Sequence, residues 1–198
     1  MLFRSVFSRP RWLTAPRVPR AARRYHKALE SGAGKARVRT DKLLDNIMHL
    51  GLVSCLCPNA RVIYCRRDPL DTITSCYLNH FTFLDFDTKI DHLVTYYEQS
   101  RRAMAHWKKV LEIPIHGFVY EDFIGDPERE LRRVLGFIGL EWDDACLRFH
   151  ESDRLTTTVS NDQVRQPIFG SSVARWKRYK KYLTPAIERL GYEKPPTG

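Results

Sequence analysis

Arg66, Arg67 and Asp68, followed eight residues beyond Arg67 by Ser75, are the residues of this chain whose types and spacing best suit the holding of an anion. An arginine guanidinium is a permanent cation whose planar fork matches two phosphate oxygens at once. Ser75 would stand about two helical turns further along the same face, where its hydroxyl reaches a second oxygen. The plainer alternative is a solvated strand end in which Asp68 only caps a helix.

For that chemistry to work, the four residues need a strand before them and a helix after them. The run Arg61, Val62, Ile63, Tyr64, Cys65 is β-branched and apolar enough for a short buried strand. Pro69 fits only the first turn of a helix, which predicts a helix over 69–79. Arg66, Arg67 and Asp68 then fall at the strand's carboxyl end, where open α/β sheets take their ligands and a helix N-terminus offers free N–H groups.

The rest of the pattern alternates helices with strands. Ala21 to Glu30 is a short helical candidate ended by Ser31-Gly32-Ala33-Gly34, and Lys42 to Cys57 reads as a mostly apolar helix with Leu43, Ile47, Leu50, Leu52 and Val53 inward. A longer helix is predicted from Ile90 to Leu111, burying Leu93, Tyr97, Met104, Trp107 and Val110. Ile115 to Tyr120 reads as a second parallel-type strand, ending in Glu121-Asp122. Asp126-Pro127-Glu128 starts a helix to Ile138, and a short helix should begin near Asp143. Thr156 to Gly170 is polar and loop-like, and a last helix is predicted from Val173 to Leu190. The expectation is an α/β fold with a parallel sheet flanked by helices.

Composition limits the functions to consider. The 198 residues are 43% hydrophobic, enough for one substantial core. Of the net charge of +10, eight come from residues 1–29, which hold seven Arg, one Lys and no acid. The remaining body is nearly neutral, which argues against broad nucleic-acid binding; an RNA-binding role would rest on that arm alone. Residues 1–20 read as a basic, disordered arm, either a displaced start or a mitochondrial transit peptide, the latter suggested by Arg, Ala and Ser without acid. Five cysteines, an odd number, fit free thiols in a reducing, cytoplasmic compartment. No apolar run reaches eighteen residues, so no membrane span is expected. Cys55 and Cys57 lack a second pair for zinc, so no metal is expected. Gly34-Lys35 is not a P-loop, because Leu29 stands at the first glycine position and Ala36 follows the lysine.

Arg67-Asp68-Pro69-Leu70-Asp71 with Ser75 resembles the 3′-phosphate-binding motif of sulfotransferases, enzymes that use 3′-phosphoadenosine 5′-phosphosulfate. Further stretches resemble bacterial sulfotransferases of the tetratricopeptide-repeat type, relatives of protein-tyrosine sulfotransferases. These are Thr40-Asp41-Lys42, His49-Leu50-Gly51-Leu52, Pro58-Asn59-Ala60-Arg61, Tyr120-Glu121-Asp122, Gln163-Val164-Arg165-Gln166-Pro167, Ser171-Ser172-Val173 and Arg175-Trp176. The resemblance covers about residues 21–198. It implies that Arg67 and Ser75 bind the 3′-phosphate and that Tyr120 touches the nucleotide. Ser160, Gln163, Val164 and Arg165 would belong to a loop over it, Arg175 would replace a phosphate-side lysine, and Lys42 would stabilise the transferring sulfonyl group.

The family's opening strand, its 5′-phosphosulfate loop and its glutamate base have no recognisable counterpart before Lys42. The expectation is therefore a partial sulfotransferase fold, related to P-loop NTPases, that lacks this first strand-loop-helix. Its function is either sulfonyl transfer to a hydroxyl, a protein tyrosine among the candidates, or a non-catalytic remnant that binds nucleotide or a partner. A partner chain that completes the sheet is the corresponding expectation for assembly.

Overall fold

The computed structural model describes residues 17–30, 36–79, 88–151, 168 and 170–192. The chain divides into two compact units, Met1–Val62 with Gln99–Ile115, and Ile63–Glu98 with His116–Gly198.

In the first unit, helix α1 (Val18–Glu30) begins three residues earlier than its periodicity predicts, and none of its residues is buried. The helix predicted over 42–57 is two pieces, a 3₁₀ stretch Leu44–His49 and helix α2 (Leu50–Leu56). The tighter 3₁₀ winding breaks the 3.6-residue register. Leu43, expected inward, is accordingly 61% exposed, while Leu50 is buried. Trp107 organises this unit: its ring lies against Gly51, where an added Cβ would stand 3.0 Å from it. Its indole N–H donates to the carbonyl of Ile47 at 2.7 Å. Ala103, Met104 and Ile113 are buried in the same unit.

The second unit holds helix α3 (Pro69–Asn79), the strand β2 (Ile115–Val119) after its first residue, and helices α5 (Tyr120–Gly125), α6 (Pro127–Ile138) and α7 (Thr184–Arg189). Strand β1 (Val62–Arg66) pairs with β2, and among the described residues these two make one small parallel sheet. Helix α4 (Ile90–Val110) gives its first part to this unit and its last part to the other. Its face is buried as predicted at Leu93, Met104 and Trp107, whereas Val110 in the last turn is 52% exposed. Strand β1 is less buried than its composition suggests: Ile63 and Cys65 are both exposed.

The core of this unit joins Leu70 and Ile73 of α3, Leu93 and Val94 of α4, and Leu183 and Ala186 near the C-terminus. Trp176, Tyr179 and Tyr192 pack around it. The helix predicted over 173–190 is instead a 3₁₀ segment Arg175–Tyr182 followed by α7. Pro185 accounts for the break, since it lacks an N–H and fits only a first helical turn. Helix α6 follows its predicted signals: Asp126 accepts from the Arg129 N–H at 3.1 Å, and Gly139 closes the helix at φ 77.

Candidate functional site

The turn from β1 into α3 is built on two buried carboxylates. Asp68 caps α3, its Oδ1 accepting from the backbone N–H of Leu70 at 2.8 Å and of Asp71 at 3.0 Å. Its other oxygen accepts from the Tyr192 hydroxyl. Burial, and after it this bond to Asp68, pushes the Tyr192 hydroxyl above the ordinary tyrosine range. The Asp68 N–H donates to Glu121 Oε1 at 2.9 Å, tying the start of α5 to the same turn. The capping role foreseen for Asp68 is therefore present, together with further bonds.

Asp71 is 1% exposed. One of its oxygens accepts from the Ala174 N–H at 2.7 Å and the other from the Trp176 N–H at 2.8 Å. Arg67 lies 3.8 Å from Asp71, donates to the Ser172 carbonyl, and places its guanidinium 5.0 Å from the centre of the Tyr120 ring. Among the described residues its buried Nε has no hydrogen-bond partner. Burying a charged N–H without a partner is costly, and the remaining fork of the guanidinium is the kind of group that meets anion oxygens two at a time.

The structure thus gathers three of the residues named from sequence. Arg67 and Tyr120 are in contact, and Arg175 lies between the two residues whose N–H groups Asp71 holds. Ser75 follows on α3, where Asn79 Nδ2 donates to its carbonyl at 2.8 Å and approaches its hydroxyl at 3.3 Å. Lys42 is in the first unit, exposed and ahead of the 3₁₀ stretch rather than at the start of a helix. Ser160, Gln163, Val164 and Arg165 lie outside the described residues. From sequence, Asp71 and Glu121 stand only as members of motifs, without a role, and Tyr192 is not named. The four-residue spacing of Arg67 and Asp71 was a usable signal for the first. Nothing local marks Tyr192.

A strand running into an arginine-bearing turn and a capped helix is an arrangement on which α/β domains can take anions. The profile of the sulfotransferase family matches residues 6–144, reaching back into the stretch read as a basic arm. The chain belongs to the sulfotransferase family. It is 37% identical over 163 residues to an uncharacterized protein of Aquifex aeolicus, a match covering 78% of this chain and 21% of that protein. It is 24% identical to protein-tyrosine sulfotransferase A of Caenorhabditis elegans, covering 70% of this chain and 40% of the relative. The chain therefore spans well under half the length of these two relatives. Among solved structures, the sulfotransferase domain from the curacin biosynthetic pathway superposes with a TM-score of 0.61 at 20% identity, over 88% of this chain and 69% of that one. The sulfotransferase domain of the Synechococcus PCC 7002 olefin synthase gives 0.57 at 23% identity, over 75% of this chain and 55% of that one. At such identities the likeness shows a shared fold.

Among the described residues, no helix is long and apolar enough to cross a membrane, and none of the five cysteines is in a disulfide.

Proposed function

We propose that the chain binds 3′-phosphoadenosine 5′-phosphosulfate at the turn from β1 into α3 and serves transfer of its sulfonyl group to a hydroxyl acceptor. A protein tyrosine is the acceptor class suggested by the Caenorhabditis elegans relative. Arg67 and Ser75 are assigned to the 3′-phosphate, Tyr120, whose ring meets Arg67, to the nucleotide, and Arg175 to its phosphates. Ser160, Gln163, Val164 and Arg165 are assigned to the segment that covers the nucleotide, and Lys42 to the sulfonyl group. The observation that carries this reading is the Arg67 guanidinium, held by Ser172, Asp71 and Tyr120 with one buried N–H unused. When bound, the donor supplies the sulfonyl group, and a cation such as Lys42 would stabilise the negative charge that develops as that group is transferred. Five cysteines with no disulfide among them fit a reducing, cytoplasmic setting for this reaction.

A second reading, nucleotide binding without transfer, is favoured by one feature: Lys42 is exposed and outside any helix. The two share a first test. Calorimetric titration with 3′-phosphoadenosine 5′-phosphate should show binding by the native chain. Arg67→Ala should weaken it by about 1.5 to 3 kcal/mol, the worth of one charge-assisted bond. No binding by the native chain sinks both readings, and equal binding by the variant sinks the assignment of Arg67. Sulfonyl transfer by the native chain but not by Lys42→Ala then decides for the enzyme.

A further inference from the structure

We infer that Asp71 is a positioning residue, whose buried carboxylate fixes Arg67 and Arg175 on one frame so that both can meet the same anion. The inference rests on the nucleotide reading above. Asp71 is 1% exposed, so it acts on a ligand only through its neighbours.

Those neighbours come from two distant parts of the sequence. On its own helix, Asp71 is 3.8 Å from Arg67 and supplies the counter-charge that keeps this guanidinium against the turn. Across the unit it holds the Ala174 and Trp176 N–H groups, one on each oxygen. Arg175 sits between those two anchors. Arg67 returns the connection by donating to the Ser172 carbonyl. The ring Arg67, Asp71, Ala174, Ser172 therefore closes, and the segment entering the 3₁₀ stretch cannot leave without freeing Arg67.

The backbone supports the same conclusion. Ala174 is left-handed, at φ 56 and ψ 22, and is the one non-glycine residue with positive φ among those described. An L-residue takes that conformation only where its surroundings impose it, and such outliers gather at binding sites. Here the imposing group is Asp71, since a relaxed turn would carry one of the two N–H groups off its carboxylate. The turn holds Arg175 between the two residues whose N–H groups donate to Asp71.

Two substitutions break this ring from opposite sides. Asp71→Asn keeps the shape but turns one acceptor oxygen into an NH₂ that faces a backbone N–H. Ala174→Val leaves the carboxylate intact but excludes the left-handed turn, because β-branched residues rarely enter it. Ala174→Gly is the control that accepts the turn freely. Two measurements are made on the full chain: amide hydrogen exchange, and calorimetry with 3′-phosphoadenosine 5′-phosphate.

Asp71→Asn and Ala174→Val should each lose protection at Ala174 or Trp176 while Ile73 and Val94 stay protected, and should bind the nucleotide roughly tenfold more weakly. Ala174→Gly should bind as the native chain does. Adding Asp71→Asn to Arg175→Ala should cost clearly less than it costs alone, because the two act as one unit. Protection retained at both amides in Asp71→Asn overturns the inference. So does lost protection with unchanged affinity, or full additivity with Arg175→Ala, and in either case the nucleotide reading stands. A native chain that binds no nucleotide overturns both. Should Asp71→Asn fail to fold, Ala174→Val decides.

Discussion

The two units support their candidate residues by different means. In the first, one aromatic ring, Trp107, anchors helix α2 and the 3₁₀ stretch before it through a single indole bond and close packing on Gly51. Lys42 stands outside that packing, in exposed chain. In the second, Asp68 and Asp71 carry five hydrogen bonds between them, from Leu70, Asp71, Tyr192, Ala174 and Trp176, and these fix the backbone around Arg67. Apolar packing tolerates small shifts, whereas a buried carboxylate with each oxygen engaged allows one arrangement. A cation meant to meet a defined anion gains from the second kind of support, because ordering costs are met on folding rather than on binding.

The largest effect should come from removing the aromatic anchor. Trp107→Ala deletes a ring that is 5% exposed and leaves the Ile47 carbonyl without its donor, which costs about 3 to 5 kcal/mol. Urea denaturation should register that loss, with amide exchange rising first at Leu50 and Met104. A loss below about 1 kcal/mol would show that the first unit does not depend on this ring.

Next comes the polar anchor. Asp68→Ala removes the cap of α3 and strands the Tyr192 hydroxyl, together worth about 2 to 4 kcal/mol. Amide exchange at Leu70 and Asp71 is the sensitive reporter. Unchanged protection there would erase the contrast between the units.

What could be read from the sequence follows the same division. The β1 to α3 turn was legible because Pro69, the β-branched run and Asp68 are local signals that agree with the fold, as are Asp126-Pro127 and Gly139 for α6. The first unit was misread where packing overrode pattern: Leu43 to Val53 carries helical spacing, yet its first half winds as 3₁₀ below Trp107. The predicted C-terminal helix breaks because Pro185 interrupts spacing that is otherwise helical from Val173 to Leu190. Within the site, Arg67 and Tyr120 stood out by type and position. The roles of Asp71, Glu121 and Tyr192 did not, since Tyr192 is 124 residues from its partner and no local pattern encodes such a pairing.

Two tyrosines allow the units to be compared through pH. Tyr192 donates to Asp68, and Tyr25 donates to Asp41 at 2.5 Å. Burial first, and then the carboxylate partner, raises the pKa of each above the ordinary tyrosine value of about 10. A raised pKa means that the fold favours the protonated phenol. The stabilisation is thus complete below about pH 10 and is lost as pH climbs through the range where only the unfolded chain ionises. Tyr192→Phe should cost about 1 kcal/mol at neutral pH and flatten the alkaline loss, with a smaller change for Tyr25→Phe at a more exposed site. Equal effects would mean that the deeper setting of Tyr192 adds nothing.

The smallest effect tests whether charge on the surface matters as charge at the turn does. Arg189 of α7 pairs with Glu98 of α4 at 2.6 Å and donates to the Thr95 hydroxyl at 2.9 Å. Its partners are as close as those of Asp71, but both side chains are substantially exposed, at 40% and 36%. Water and salt screen such a pair, so Arg189→Ala should cost no more than about 0.5 to 1 kcal/mol. That cost should shrink further in 1 M salt, where charges are screened within about 3 Å. Denaturation of the native and variant chains at low and high salt measures it. If the loss matched that of Asp68→Ala and ignored salt, α7 would be clamped by its surface ion pair rather than by Leu183 and Ala186 in the core. Hydrogen-bond count alone would then predict rigidity, and burial would cease to distinguish the Arg67 turn from the rest of the molecule.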